Sequence, residues 1–315
     1  MYSQFFVMFA MIFTGFVFRK IGFIKDEMNN SLNKIIVYCA YPSLLTYNIG
    51  TMEMDKTLIK EFVLMLLISF CMLIVYALGM RAYTKFRKFP DRASNVAELA
   101  MVCPNNGFMG FPMAMALLGS QGLFFMVAQN SAMNIFFFTY CIYTLRRNNG
   151  QRGHLTLQTV TKSTIKVILN PNILALFVGF FICFTGMPLD NAIGTYFQYM
   201  GGAATPMAMV FIGSTLAGSN FLEMLRNHIV WESAIMKLIA IPVVTAGIMW
   251  LLPVSSGLKI ITTLGLCFPT AATVSMLAEQ EGQNKELASK ILFFTTVVSM
   301  ATVPVTITII KMLFM

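Results

Sequence analysis

Long apolar runs, each close to the roughly 20 residues that cross a hydrocarbon core, recur along the chain between short polar loops. Ten are readable, at about residues 3–20, 30–50, 58–81, 92–118, 121–144, 168–186, 192–217, 230–252, 257–279 and 287–313. The pattern predicts an all-α polytopic membrane protein of ten transmembrane helices. Residues 1–17 lack a basic leading region and an Ala-x-Ala-like cleavage site, so they read as a retained first span and not a signal peptide.

Two of the runs are broken in the middle. In the fourth, Cys103-Pro104-Asn105-Asn106-Gly107 places a helix breaker and two amides at membrane depth; in the ninth, Phe268-Pro269-Thr270 does the same with a hydroxyl. Backbone groups freed at that depth are tolerated only where protein or a water-filled cavity satisfies them, so both breaks should border a cavity. Pro104 and Pro269 lie 165 residues apart, Pro42 and Pro206 164, and Gly15 and Gly179 164. A shared offset across three helix-perturbing pairs predicts an internal duplication. Paired interrupted segments in corresponding halves are the sequence pointer to a secondary transporter's binding site.

Composition agrees with this class: of 315 residues 57% are hydrophobic and 11% charged, with a mean hydropathy of +0.73. The excess of 22 Lys and Arg over 13 Asp and Glu sits in short loops, where topology explains it better than nucleic acid does. Arg19, Lys20 and Lys25 follow span one, Arg81, Lys85, Arg87, Lys88 and Arg92 follow span three, and Arg146, Arg147, Arg152, Lys162 and Lys166 follow span five. The odd-numbered loops are therefore expected on the cytoplasmic side and both termini outside. With five spans per half, the second half is then inverted relative to the first. The expected division is residues 1–145 as the first repeat, 146–166 as a basic cytoplasmic linker, and 167–315 as the second repeat. The six cysteines fall inside apolar runs without Cys-x-x-Cys spacing and read as free core thiols, with no metal site expected.

Inverted halves are expected to bring the two broken helices across each other at the bilayer midplane, where the half-helices that begin near Asn106 and Thr270 aim N-terminal amides and positive dipole ends, which suits a carboxylate. Asn105 and Asn106 either line the cavity or only cap the half-helix. In span five Asn130 and Asn134 share one helix face, and at the same offset span ten carries Thr295 and Ser299. These pairs either border the site or join neighbouring helices by hydrogen bonds. Glu98, six residues before Pro104, is a candidate for proton coupling, with pairing to a loop arginine or contact with solvent as the alternative. Glu232 and Lys237 receive no role.

The stretch Pro104-Asn105-Asn106-Gly107-Phe108-Met109-Gly110-Phe111-Pro112 resembles the N-x-G-F-x-G-x-P signature of the auxin efflux carrier family, which includes bacterial malate- and malonate-type permeases. Tyr41-Pro42-Ser43-Leu44-Leu45, Asn170-Pro171-Asn172-Ile173, Thr205-Pro206-Met207-Ala208 and Phe268-Pro269-Thr270-Ala271 agree with it. The resemblance implies two inverted five-helix repeats similar to bile-acid/sodium symporters, a scaffold of spans 1, 2, 6 and 7, and a moving domain of spans 3–5 and 8–10. It further implies organic-anion transport by elevator-type alternating access. The long central hydrophilic loop of the plant carriers is missing here, so regulation through that loop does not carry over.

Together these readings predict a secondary carrier of small carboxylates in the cytoplasmic membrane. Substrate contacts are expected from Pro104, Asn105, Asn106, Gly107, Asn130, Asn134, Phe268, Pro269, Thr270, Thr295 and Ser299. H⁺ or Na⁺ coupling, a homodimer formed through scaffold helices and a lipid surround are expected; no other cofactor and no nucleic acid are. A sodium-coupled bile-acid-like symporter and an anion channel are the alternatives. Enzyme chemistry finds no HExxH, GxSxG or P-loop motif, and only His154 and His228 are present.

Overall fold

A computed structural model describes residues 2–147, 169–217 and 226–315. Most of the expected linker, residues 148–166, therefore lies outside the described residues. The helices are α1 (Tyr2–Lys20), α2 (residues 26–50), α3 (Lys56–Phe86), α4 (Asp91–Val102), α5 (residues 106–118), α6 (residues 120–146), α7 (Pro171–Thr185), α8 (Ala192–Ala217), α9 (His228–Leu251), α10 (Ser256–Cys267), α11 (Ala272–Gln280) and α12 (Lys285–Phe314). No strand occurs among the described residues. Among the described residues five helical stretches, Lys56–Phe86, Asn106–Arg146, Ala192–Ala217, His228–Leu251 and Lys285–Phe314, are long and apolar enough to cross a membrane.

Prolines shape three of these helices in one way. A five-residue π turn stands immediately before Tyr41-Pro42 (Ile36–Ala40), before Phe111-Pro112 (Asn106–Gly110) and before Ile241-Pro242 (Met236–Ala240). Proline has no N–H to offer the carbonyl four residues back, and its ring crowds that carbonyl; widening the preceding turn relieves both problems without ending the helix. The boundary between α5 and α6 is sharper. Leu118 (φ −131°, ψ 18°) and Gly119 (φ 59°, ψ −145°) leave helical space, and the left-handed φ at 119 is one that glycine adopts at no steric cost.

The helices pack in two groups. In one, α1 lies on the second half of α8, and α2 lies on α7 and the first half of α8. Glycine sets these approaches: a Cβ on Gly15 would stand 2.1 Å from the Val210 carbonyl oxygen, and one on Gly179 would stand 2.9 Å from Ile49 Cβ. Gly15 and Gly179 are one of the offset pairs, and each lets its helix touch a helix of the other half of the chain. With no hydrophobic drive between helices in lipid, close backbone contact of this kind is what holds them together.

The second group contains α3 to α6 and α9 to α12, with α4 packed on α3, α9 and α12, and α10 packed on α6, α9 and α12. Ion pairs tie it: Arg87–Glu232 at 2.6 Å, Arg146–Glu281 at 2.7 Å, Arg147–Glu98 at 3.3 Å and Lys285–Glu279 at 2.5 Å. Contacts between the groups have a different character. They include the ring pairs Phe108–Phe211 (5.0 Å), Tyr41–Phe111 (5.2 Å) and Phe62–Phe180 (5.9 Å), and the hydrogen bond from Ser120 Oγ to Asn48 Oδ1 at 3.1 Å.

Candidate functional site

The two interruptions meet. Pro104 and Thr270 form an antiparallel bridge in which Asn105 N donates to Pro269 O at 2.8 Å and Ala271 N donates to Cys103 O at 3.0 Å. Each break thus satisfies backbone groups of the other, as a break at membrane depth requires.

The remaining carbonyls at the end of α4 show how side chains complete this accounting. Ala100 O would accept from residue 104 in an unbroken helix, but proline has no N–H, and the Thr270 hydroxyl donates in its place at 2.7 Å. Val102 O would accept from Asn106 N, which instead bonds Pro104 O at 3.0 Å; the Lys237 ammonium donates to Val102 O at 3.0 Å. On the other break, Thr270 N donates to Thr295 Oγ1 at 3.2 Å. Beside α10, the Gln129 amide lies against Gly265 and donates to Thr262 O at 3.1 Å.

A cavity of about 190 Å³ borders the bridge, walled by Pro104, Asn105, Asn106 and Gly107 of the first break, Asn130 and Asn134 of α6, Asn170 and Asn172 at the start of α7, Tyr41 of α2, and Ala271 to Thr273 at the start of α11. The starts of α5 and α11 both face it. Their first N–H groups lack intrahelical acceptors, and their dipoles place positive ends at the cavity wall. None of the described residues lining it carries a full charge. A second cavity of about 270 Å³ lies on the far side of Asn105 and Phe108, against Asn29, Asn33, Phe211, Thr215 and Ser275.

The asparagines at the break differ from one another. Asn105 Oδ1 accepts a long bond from Phe108 N at 3.4 Å, a capping contact at the start of α5. Asn106 is 1% exposed, yet neither its Oδ1 nor its Nδ2 has a partner among the described residues. Asn134 Nδ2 and Asn172 Oδ1 are also buried and unpartnered. Buried amide atoms without partners cost about 1–3 kcal/mol each, and here they gather along one cavity.

The other expected site residues lie behind this wall. Phe268 and Thr270 are fully buried, Pro269 serves through its carbonyl, and Thr295 and Ser299 donate to backbone carbonyls of their own helix, Ile291 O at 2.8 Å and Thr296 O at 2.7 Å. Glu98 is away from the cavity and fully buried, bonded by Tyr140 Oη at 2.6 Å and by Arg147, which also bonds Asn95 Oδ1 at 2.6 Å. Cys103 and Cys141 are in contact as free thiols, Sγ to Sγ 3.5 Å. Sequence reasoning did not select Tyr41, Asn170 or Asn172 for the site. The Asn-Pro-Asn triplet at the start of span six was the available signal.

Described residues that are helical with no strand, several membrane-length apolar helices and a polar cavity at paired helix breaks define a polytopic membrane protein. The chain belongs to the membrane transport protein family, the family of the auxin efflux carriers, whose model matches residues 1–307. It is 24% identical over 299 residues to an uncharacterized transporter of Methanothermobacter thermautotrophicus, covering 94% of this chain and 93% of the relative. It is 22% identical over 305 residues to an uncharacterized transporter of Methanocaldococcus jannaschii, covering 93% and 94%. A protein of Rhizobium meliloti proposed to be a malonate transporter is 23% identical over 301 residues, covering 94% of this chain and 91% of that one.

Proposed function

We propose that the chain is a secondary carrier of small organic anions, working by elevator-type alternating access across the cytoplasmic membrane with both termini outside. In this reading the ten spans form two inverted five-helix repeats, α4–α5 and α10–α11 cross at the midplane, and the ion-paired group of α3–α6 and α9–α12 slides against a scaffold of α1, α2, α7 and α8. A homodimer would form through that scaffold. The antiparallel sense of the Pro104–Thr270 bridge supports inversion, and the mainly aromatic contacts between the groups suit sliding better than ion pairs would.

The observation that carries the reading is Asn106, whose amide is buried at the cavity wall with neither atom partnered. A carboxylate there would accept from Asn106 Nδ2 and from first-turn N–H groups of α5 and α11, meeting dipoles rather than a fixed charge. The cavity volume, about 190 Å³, lies below the roughly 300–1,000 Å³ usual for drug-sized ligands and favours a small anion over a bile-acid-like one. The malonate assignment of the Rhizobium meliloti relative supports the same substrate class.

The test is a thermal-shift series on detergent-purified protein with malonate, malate, a monocarboxylate and the uncharged diamide malonamide. Malonate or malate is expected to raise the melting temperature in a saturable way and malonamide to leave it unchanged. Equal stabilisation by malonamide, or none by any carboxylate, would contradict the reading.

A further inference from the structure

Lys237 lies mid-way along α9 with its side chain fully buried. Its ammonium donates to Val102 O at 3.0 Å, where α4 ends, and the turn of α9 that carries it packs on both α4 and α10. Among the described residues no carboxylate pairs with it: Glu98 is held by Arg147 and Glu232 by Arg87. An ammonium taken out of water without a counter-ion is costly, so its surroundings must offer something in exchange. They offer the C-terminal ends of two half-helices, each carrying roughly −0.5 of an elementary charge. In carriers with broken helices, unwound carbonyls and half-helix C-terminal ends are the groups that coordinate a coupling Na⁺.

We propose that the Lys237 ammonium is a built-in cation that takes the place of a bound Na⁺ at the ends of α4 and α10. The crossing is then held in register without a metal ion. The α4 carbonyl that the break leaves without its helical donor is satisfied by a side chain of the same moving group, so the charge travels with the crossing. This deepens the carrier reading by assigning Na⁺-independence to it. Because the test below contains no carboxylate, its failure and the failure of the thermal-shift series are separate results.

The full chain is melted in NaCl and in choline chloride at equal ionic strength. Wild type is expected to melt at one temperature in both salts. Lys237→Ala, which removes the charge and leaves room, is expected to melt about 4 °C or more lower in choline chloride and to recover part of that loss selectively in NaCl. Lys237→Met, which fills the space without charge, is expected to melt lower with no recovery in NaCl. If either variant is lost on purification, the monodisperse fraction of its fluorescently tagged form in crude detergent extract gives the same comparison. Selective stabilisation of wild type by Na⁺, a Lys237→Met protein as stable as wild type, or a Lys237→Ala protein indifferent to Na⁺ would each overturn the proposal.

Discussion

Replacing Asn106 with alanine is expected to weaken malonate binding by roughly 10- to 150-fold for each hydrogen bond lost, while the melting temperature of the substrate-free protein stays level or rises. The two effects have opposite signs because the native amide has no partner among the described residues. A hydrogen bond to a charged ligand is worth about 1.5–3 kcal/mol, and 1.4 kcal/mol is tenfold in affinity. Without ligand, the same amide is a buried polar group whose desolvation is not offset, so removing it takes away a cost. Asn105→Ala should behave differently, losing stability through its capping bond to Phe108 N. Titration calorimetry with malonate, read beside melting curves of both variants, separates the roles. An Asn106→Ala protein that binds malonate like wild type would remove this side chain from the site.

The second large effect is expected at Arg147. Its guanidinium faces the fully buried Glu98 carboxylate, and Tyr140 donates to the other carboxylate oxygen. Arg147→Met leaves that carboxylate buried without its cation, and breaking such a pair from one side costs about 3–5 kcal/mol. Replacing both partners, as Glu98→Leu with Arg147→Met, should recover most of the loss, because apolar residues of similar volume often substitute for a buried pair at little cost. A double-mutant cycle by chemical denaturation measures the difference. The same residues decide the role of Glu98: in a structural lock, Glu98→Gln keeps the pH profile of transport, whereas a coupling carboxylate would lose its pH dependence on that change.

Much of this organisation was legible in the chain because proline acts locally. Pro104 and Pro269 each lack an N–H, so a break could be placed from the sequence alone, and inverted halves implied that the two breaks belong together. What finishes the break was not legible. Thr270 reaches Ala100 across 170 residues and Lys237 reaches Val102 across 135, and no periodicity encodes contacts at that separation. Residue chemistry also split a pair that sequence treated as equivalent. Thr295 and Ser299 donate their hydroxyls to carbonyls of their own helix, Thr295 Oγ1 also accepts from Thr270 N at the second break, and neither lines the cavity. Asn130 and Asn134 carry amides with more donors and acceptors than a helix turn can satisfy, and they line it. Glu98 was readable as a carboxylate inside a span, with pairing to a loop arginine as one of its readings; that the arginine is Arg147 and that the Tyr140 hydroxyl joins it depend on how the end of α6 packs on α4, which no local pattern encodes.

Counterflow of radiolabelled malonate in proteoliposomes separates a carrier with a carboxylate site at the paired breaks from a pore. Vesicles loaded with unlabelled malonate and diluted into trace label should accumulate it transiently with wild type, should do so far less with Asn106→Ala at the same trace concentration, and should recover as malonate is raised. Simple equilibration of label without transient accumulation would describe a pore, and equal counterflow by wild type and Asn106→Ala would contradict a carboxylate site at the paired breaks.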